Sequence, residues 1–106
     1  MKEIKAVIGP QRLEGLYEVL RAVPGFPGMT VSRAEGYVGP SPQFKASIRD
    51  QITDHLPRVR LEMLVPDEVA EPLFEAVVKH VKAGAPGDSL VWMTEALRAA
   101  FVHKTV

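Results

Sequence analysis

Apolar and polar residues alternate through KEIKAVI, with Ile4, Ala6 and Ile8 on one side and Glu3, Lys5 and Val7 on the other, which predicts a half-buried strand over 2–8. Gly9 and Pro10 interrupt it. Leu13, Leu16, Leu20 and Val23 then recur at helical spacing opposite Glu14, Glu18 and Arg21, predicting an amphipathic helix to about Ala22 that the run PGFPG (24–28) stops. A second strand is predicted over 29–37. A third follows over 58–65, where Val59, Leu61, Met63 and Val65 alternate with Arg58, Arg60, Glu62 and Leu64. Asp67 is a candidate helix cap, and Leu73, Phe74, Val77 and Val81 share one face until Gly84. Pro72 lacks a backbone donor and crowds the carbonyl four residues earlier, so the first turn of this helix is expected to be distorted or to begin late. A fourth strand is predicted over 90–93, and a short terminal one over 101–104.

The order strand, helix, strand, strand, helix, strand is the split pattern of an α+β, ferredoxin-like βαββαβ sandwich, with two helices on one face of an antiparallel sheet. The 106 residues suffice for one domain, 1–106, with one core. Between the second and third strands the chain runs from 38 to 56 through Gly39, Pro40, Pro42 and FKASIRDQITDH. That is far longer than the ~2–5 residues of most hairpin loops, and predicts a mobile functional loop, with room for a short helical turn over 46–52. Leu64, Val7, Val91 and Met93 are expected on the face the helices do not cover, where apolar residues point to subunit association.

Charge and composition narrow the function. Thirteen basic residues balance thirteen acidic ones, so no net field recruits nucleic acid or an anionic membrane surface. The absence of cysteine excludes disulfides, thiolate catalysis and cysteine metal sites. MKEIKAVIG is too short and too charged for a signal peptide, and no apolar run is long enough to enter a bilayer, so a cytoplasmic location is expected.

Several segments together are similar to one family. MKEIKAVIGPQRLEGLYEVL resembles the opening of the PII signalling proteins, GMTVSRAEGY their second strand, LPRVRLEMLVPDEVAEPLFEAVV their third strand and second helix, and AGAPGDSLVW (83–92) their phosphate-binding B-loop. The order is collinear and covers the chain apart from 38–56 and the last few residues. The resemblance implies a homotrimer with nucleotide sites in the clefts between neighbours. It also implies a long T-loop, here 38–56, that contacts a partner protein. Such proteins regulate by conformation and are not enzymes. Within PGFPGMTVS the extra residue and paired prolines are similar to a PII-like branch associated with heavy-metal efflux, which points to a membrane transporter or pump as the partner.

Residue by residue, the resemblance gives Thr30 the adenine contact, Gly36 the glycine near the end of the second strand, Glu62 the carboxylate near the ribose, and Gly84, Gly87 and Asp88 the B-loop frame. Ser89 stands for a B-loop glycine. Leu90 replaces a phosphate-binding lysine, and Phe101 and His103 replace two arginines. Each charge-assisted hydrogen bond to phosphate contributes roughly 1.5–3 kcal/mol, so the three exchanges weaken binding of ATP, even though the amides of a glycine turn attract anions unaided. ATP, ADP, AMP or a cyclic nucleotide stands as the candidate ligand, with His103 and Lys104 as partial replacements for the arginines. Gly39 and Pro40 occupy the place of a glutamine that holds magnesium and 2-oxoglutarate, with Gln43 a few residues on, so nitrogen-type 2-oxoglutarate sensing is not expected. Between 38 and 56 there is no tyrosine to modify, which leaves Ser47 as the candidate hydroxyl.

Two other functions fit the same fold. A divalent-cation-tolerance family shares the trimer architecture, and His55 and His103 are the histidines that would ligate a divalent or soft metal, although their spacing matches no ligand motif. The third is a ligand-free interaction module whose loop docks constitutively. Asp50, Asp54, Glu68 and Glu71 show no acid–base pairing, and no serine or lysine lies in a nucleophile motif, so catalysis is not expected.

Overall fold

Ile4, Ala6 and Ile8 of β1 (Lys2–Ile8) are fully buried, so the alternation in KEIKAVI is that of a strand with one face in the core. With β2 (Thr30–Gly36), β3 (Leu56–Val65) and β4 (Leu90–Glu95) it forms an antiparallel sheet of order β2-β3-β1-β4. The computed structural model describes residues 1–37, 56–82 and 89–102. A 3₁₀ turn at Pro10–Arg12 leads into α1 (Leu13–Arg21), and α2 (Asp67–Lys82) follows β3. Both helices lie on one face, giving the ferredoxin-like α+β architecture.

The core lies between this helical layer and the two inner strands. Leu16 and Leu20 of α1 and Ala70, Leu73 and Val77 of α2 pack with the β1 triplet and with Val59, Leu61, Met63 and Val65. Each large side chain so buried contributes on the order of 1.5–3 kcal/mol. β2 lies beyond the helices' cover: even Val31, Arg33 and Glu35, which pair with Leu61, Val59 and Pro57, are exposed.

Two expectations are corrected. α2 begins at Asp67 and runs through Pro72 without a break. Glu68, whose carbonyl loses its donor, and Pro72 are both exposed, so that carbonyl lies on the solvent side of the helix, while Val69 N–H bonds to the Pro66 carbonyl at 3.1 Å. Val91 and Met93 are on the core face, paired with Ala6 and Ile4 and packed against the core; of the four apolar residues expected on the open face, Val7 and Leu64 are there, joined by Leu90 and Trp92. LVWM is apolar at every position, so its own pattern does not set which residues turn inward; the register with β1 does.

Strand ends differ in detail. β3 starts two residues before 58, so Leu56 belongs to the strand, and β4 continues two residues past 93 because Thr94 and Glu95 pair with Glu3 and Lys2. Phe101 and Val102 are in no strand. Residues 103 and 104 lie outside the described residues, as do 38–55 with the expected mobile loop and helical turn, and 83–88. Among the described residues, no helix is long and apolar enough to cross a membrane.

Candidate functional site

Residues paired directly across an antiparallel ladder share a face, so the open side of the sheet can be followed row by row. Thr30 faces Glu62, Glu62 faces Lys5, and Lys5 faces Trp92. One row along, Ser32, Arg60, Val7 and Leu90 line up; on the other side are Leu64, Glu3 and Thr94. Charges on this face pair with each other: Arg60 Nη2 is 3.5 Å from Glu62 Oε1, Lys5 Nζ is 3.5 Å from Glu3 Oε1, and Thr94 Oγ1 donates to Glu3 Oε1 at 3.3 Å.

A cleft of about 320 Å³ opens where β2 starts. Thr30 and Glu62 line it together, as the cross-strand pairing dictates, with Gly28, Met29, Leu64, Glu3 and Phe101. Gly28 has φ +107°, a backbone conformation that suits glycine, in the loop that delivers Met29 and Thr30. After β4, Ala96 N–H bonds to the Met1 carbonyl at 3.1 Å, and the chain then returns far enough for Phe101 to reach the cleft. The described lining contains two carboxylates, apolar groups and a hydroxyl, and no cation.

The other expected site residues are placed elsewhere. Gly36 ends β2 opposite Leu56, about 20 Å from Thr30 at ~3.3 Å per residue. A Cβ there would lie 3.0 Å from Cγ of Arg58, a nearly buried side chain whose Nη1 donates to the Pro57 carbonyl at 3.1 Å. Gly36 thus makes room for the Arg58 stem. Ser89 precedes β4 at the opposite edge of the sheet, and its hydroxyl is buried with no hydrogen-bond partner among the described residues. Leu90 is 60% exposed, on the open face opposite Val7. Gly84, Gly87, Asp88 and His103 lie outside the described residues. Within one chain, therefore, only Thr30 and Glu62 come together among the described residues of the expected set.

Met29 and Leu64 were not singled out by sequence as contributors to this cleft, whereas the resemblance already put Phe101 at the nucleotide site in place of an arginine. The first two follow from adjacency: Met29 precedes Thr30, and Leu64 is two residues from Glu62 on the same face. Phe101 has no local signal, because its position depends on the path taken after β4.

His55 and His103, the candidate metal ligands, also lie outside the described residues, among which no group of three or more His, Asp or Glu is placed to hold a metal ion. His80 belongs to the helix–helix contact, where a Cβ on Gly15 would lie 3.0 Å from its Cε1. Shifted titrating groups lie away from the cleft. The N-terminal ammonium, 3.1 Å from Asp67, holds that carboxyl below its ordinary value by hydrogen bonding and charge, and a hydrogen bond to Glu95 raises Lys2.

The family model described as nitrogen regulatory protein P-II matches residues 1–100, through all four strands and both helices. The P-II protein of Haemophilus influenzae is 31% identical over 102 residues, covering 93% of this chain and 88% of the relative. The Rhizobium meliloti P-II protein is 32% identical over 97 residues (89% and 84%), and the Escherichia coli protein named P-II 1 is 29% identical over 101 (92% and 88%). A match that runs the length of the sheet and helices, on a ferredoxin-like fold, makes this chain a member of the nitrogen regulatory protein P-II family of signal-transduction regulators.

Proposed function

We propose that the chain acts as a homotrimeric regulator that binds an adenine nucleotide in clefts between neighbouring copies and controls a partner protein through the segment 38–56. The observation that carries this is the separation of the candidate residues across the sheet. Thr30 lies on edge strand β2 and Glu62 beside it, whereas Ser89 immediately precedes β4, the opposite edge. Three strand spacings of ~4.8 Å, about 14 Å, lie between the edges, with the Lys5, Val7 and Arg60 side chains on the face between them. One ligand touching both groups is accommodated when the β2 edge of one copy meets the β4 edge of the next. Apolar Val7, Leu64, Leu90 and Trp92 on the open face support burial against other copies.

A ligand shared by two copies controls a partner when its binding favours one arrangement of the segment joining β2 to β3. The similarity of PGFPGMTVS to the efflux-associated branch favours a membrane transporter or pump as that partner. Sedimentation of the purified chain at micromolar concentration is expected to give the mass of three copies, and a single-copy mass would overturn the assembly. Calorimetry with ATP, ADP and AMP is expected to show binding that Gly87→Trp abolishes. No heat with any of them at millimolar ligand, or heat unchanged in that variant, would overturn the nucleotide site.

A further inference from the structure

We infer that this cleft selects an adenine ligand of low charge, the nucleoside or its monophosphate, over the polyphosphates, and that Phe101 is the specificity-determining residue. The inference rests on the nucleotide function proposed above and names the ligand class of that site. Phe101 is 50% exposed and lines the same cleft as Thr30 and Glu62. A phenyl ring there offers apolar contact to a base or ribose, whose burial is favourable whatever charge the ligand carries elsewhere.

Electrostatics sets the preference. The described lining contributes the carboxylates of Glu3 and Glu62, and two cations described on that face, Lys5 and Arg60, each lie 3.5 Å from one of those carboxylates. These pairs are close to neutral as units, so each added phosphate charge meets carboxylates without a surplus of positive charge to offset them. At the opposite edge of the sheet, the side of the shared cleft that a neighbour would supply, Leu90 presents a second exposed apolar side chain. Phe101 and Leu90, the described residues at positions where the resemblance implies phosphate-binding cations, are thus both apolar.

Calorimetry on the intact oligomer with adenosine, AMP, ADP and ATP, with and without Mg²⁺, tests this. Affinity is expected to fall by about threefold or more from adenosine or AMP to ATP. Phe101→Arg is expected to improve ATP relative to adenosine by about tenfold, the equivalent of one charge-assisted contact. Phe101→Leu, which retains apolar character and checks folding, is expected to weaken adenosine and ATP by the same factor. Wild-type binding of ATP as tight as or tighter than that of adenosine and AMP overturns the selectivity and leaves the nucleotide site standing. A ratio unmoved by Phe101→Arg overturns the role of Phe101. Absence of binding by all four ligands overturns the nucleotide site itself, and this inference with it.

Discussion

Gly25 joins two costs in one position, and replacing it by alanine separates them. Its φ is +87°, and a Cβ built on it would lie 2.6 Å from Cγ1 of Val69 on α2. A left-handed non-glycine residue costs roughly 1–2 kcal/mol. Forcing a methyl into a filled site adds about 1–3 kcal/mol, and Val69 is poorly able to swing aside because a β-branched side chain in a helix is held to one main rotamer. The less flexible unfolded chain returns about 0.4–1 kcal/mol. Gly25→Ala is therefore expected to destabilise by about 3 kcal/mol, a large share of the ~5–15 kcal/mol available to a domain. Gly28→Ala is the control, because φ there is +107° but no atom lies within 4 Å of the added carbon; about 1 kcal/mol is expected. Urea unfolding followed by far-UV circular dichroism, without ligand and at one protein concentration, measures both. Adding Val69→Ala to Gly25→Ala is expected to recover about 1–2 kcal/mol relative to the sum of the single changes. Equal costs for the two glycine variants, or no recovery, would refute the steric assignment.

Leu61→Ala, at a fully buried position on inner strand β3, is expected to cost about 2–5 kcal/mol by denaturant unfolding, whereas Leu97→Ala, at a position 95% exposed, is expected to stay within about 0.5 kcal/mol of the parent. Gly15→Ala gains about 1 kcal/mol of helix propensity, part of which is lost to the contact with His80, so stability is expected to rise by less than that amount in the parent and by the full amount in a His80→Ala background. Asp67 contributes stability that is present above the ordinary carboxyl value of 3.8 and is lost as pH falls through its lowered folded-state value. With the N-terminal amine free, Asp67→Asn and the parent are expected to differ above that range and to converge below it; curves parallel throughout acid titration would refute the pairing.

Where one face of an element is polar, the chain announces its own fold. β1 and β3 carry charged residues at alternate positions, and α1 sets Glu14, Glu18 and Arg21 against its leucines, so each element and its buried face follow from spacing alone. β4 lacks this contrast. Trp92 is no less apolar than Val91 or Met93, and only backbone pairing to β1 assigns them to opposite faces. Pro72 misled for a related reason: its local penalty is real, but the exposed side of an early turn tolerates it. Thr30 and Glu62 were assigned to one site by the resemblance, while spacing gave only the two strands that carry them and not their register. Phe101, separated from them by the whole of β4 and the turn after it, was assigned to the site by the resemblance and not by any local pattern.

β2 and β3 stay paired to their last residues, Gly36 against Leu56. The insertion between them therefore departs from and returns to a fixed gate about 5 Å wide, already closed by the ladder. For a loop closed at ends so held, doubling the length costs only about 0.6 kcal/mol in closure entropy. Its size and sequence are thus nearly uncoupled from the stability of the sheet beneath, which leaves them free to diverge with whatever surface they must fit while the ribbon that carries them stays unchanged.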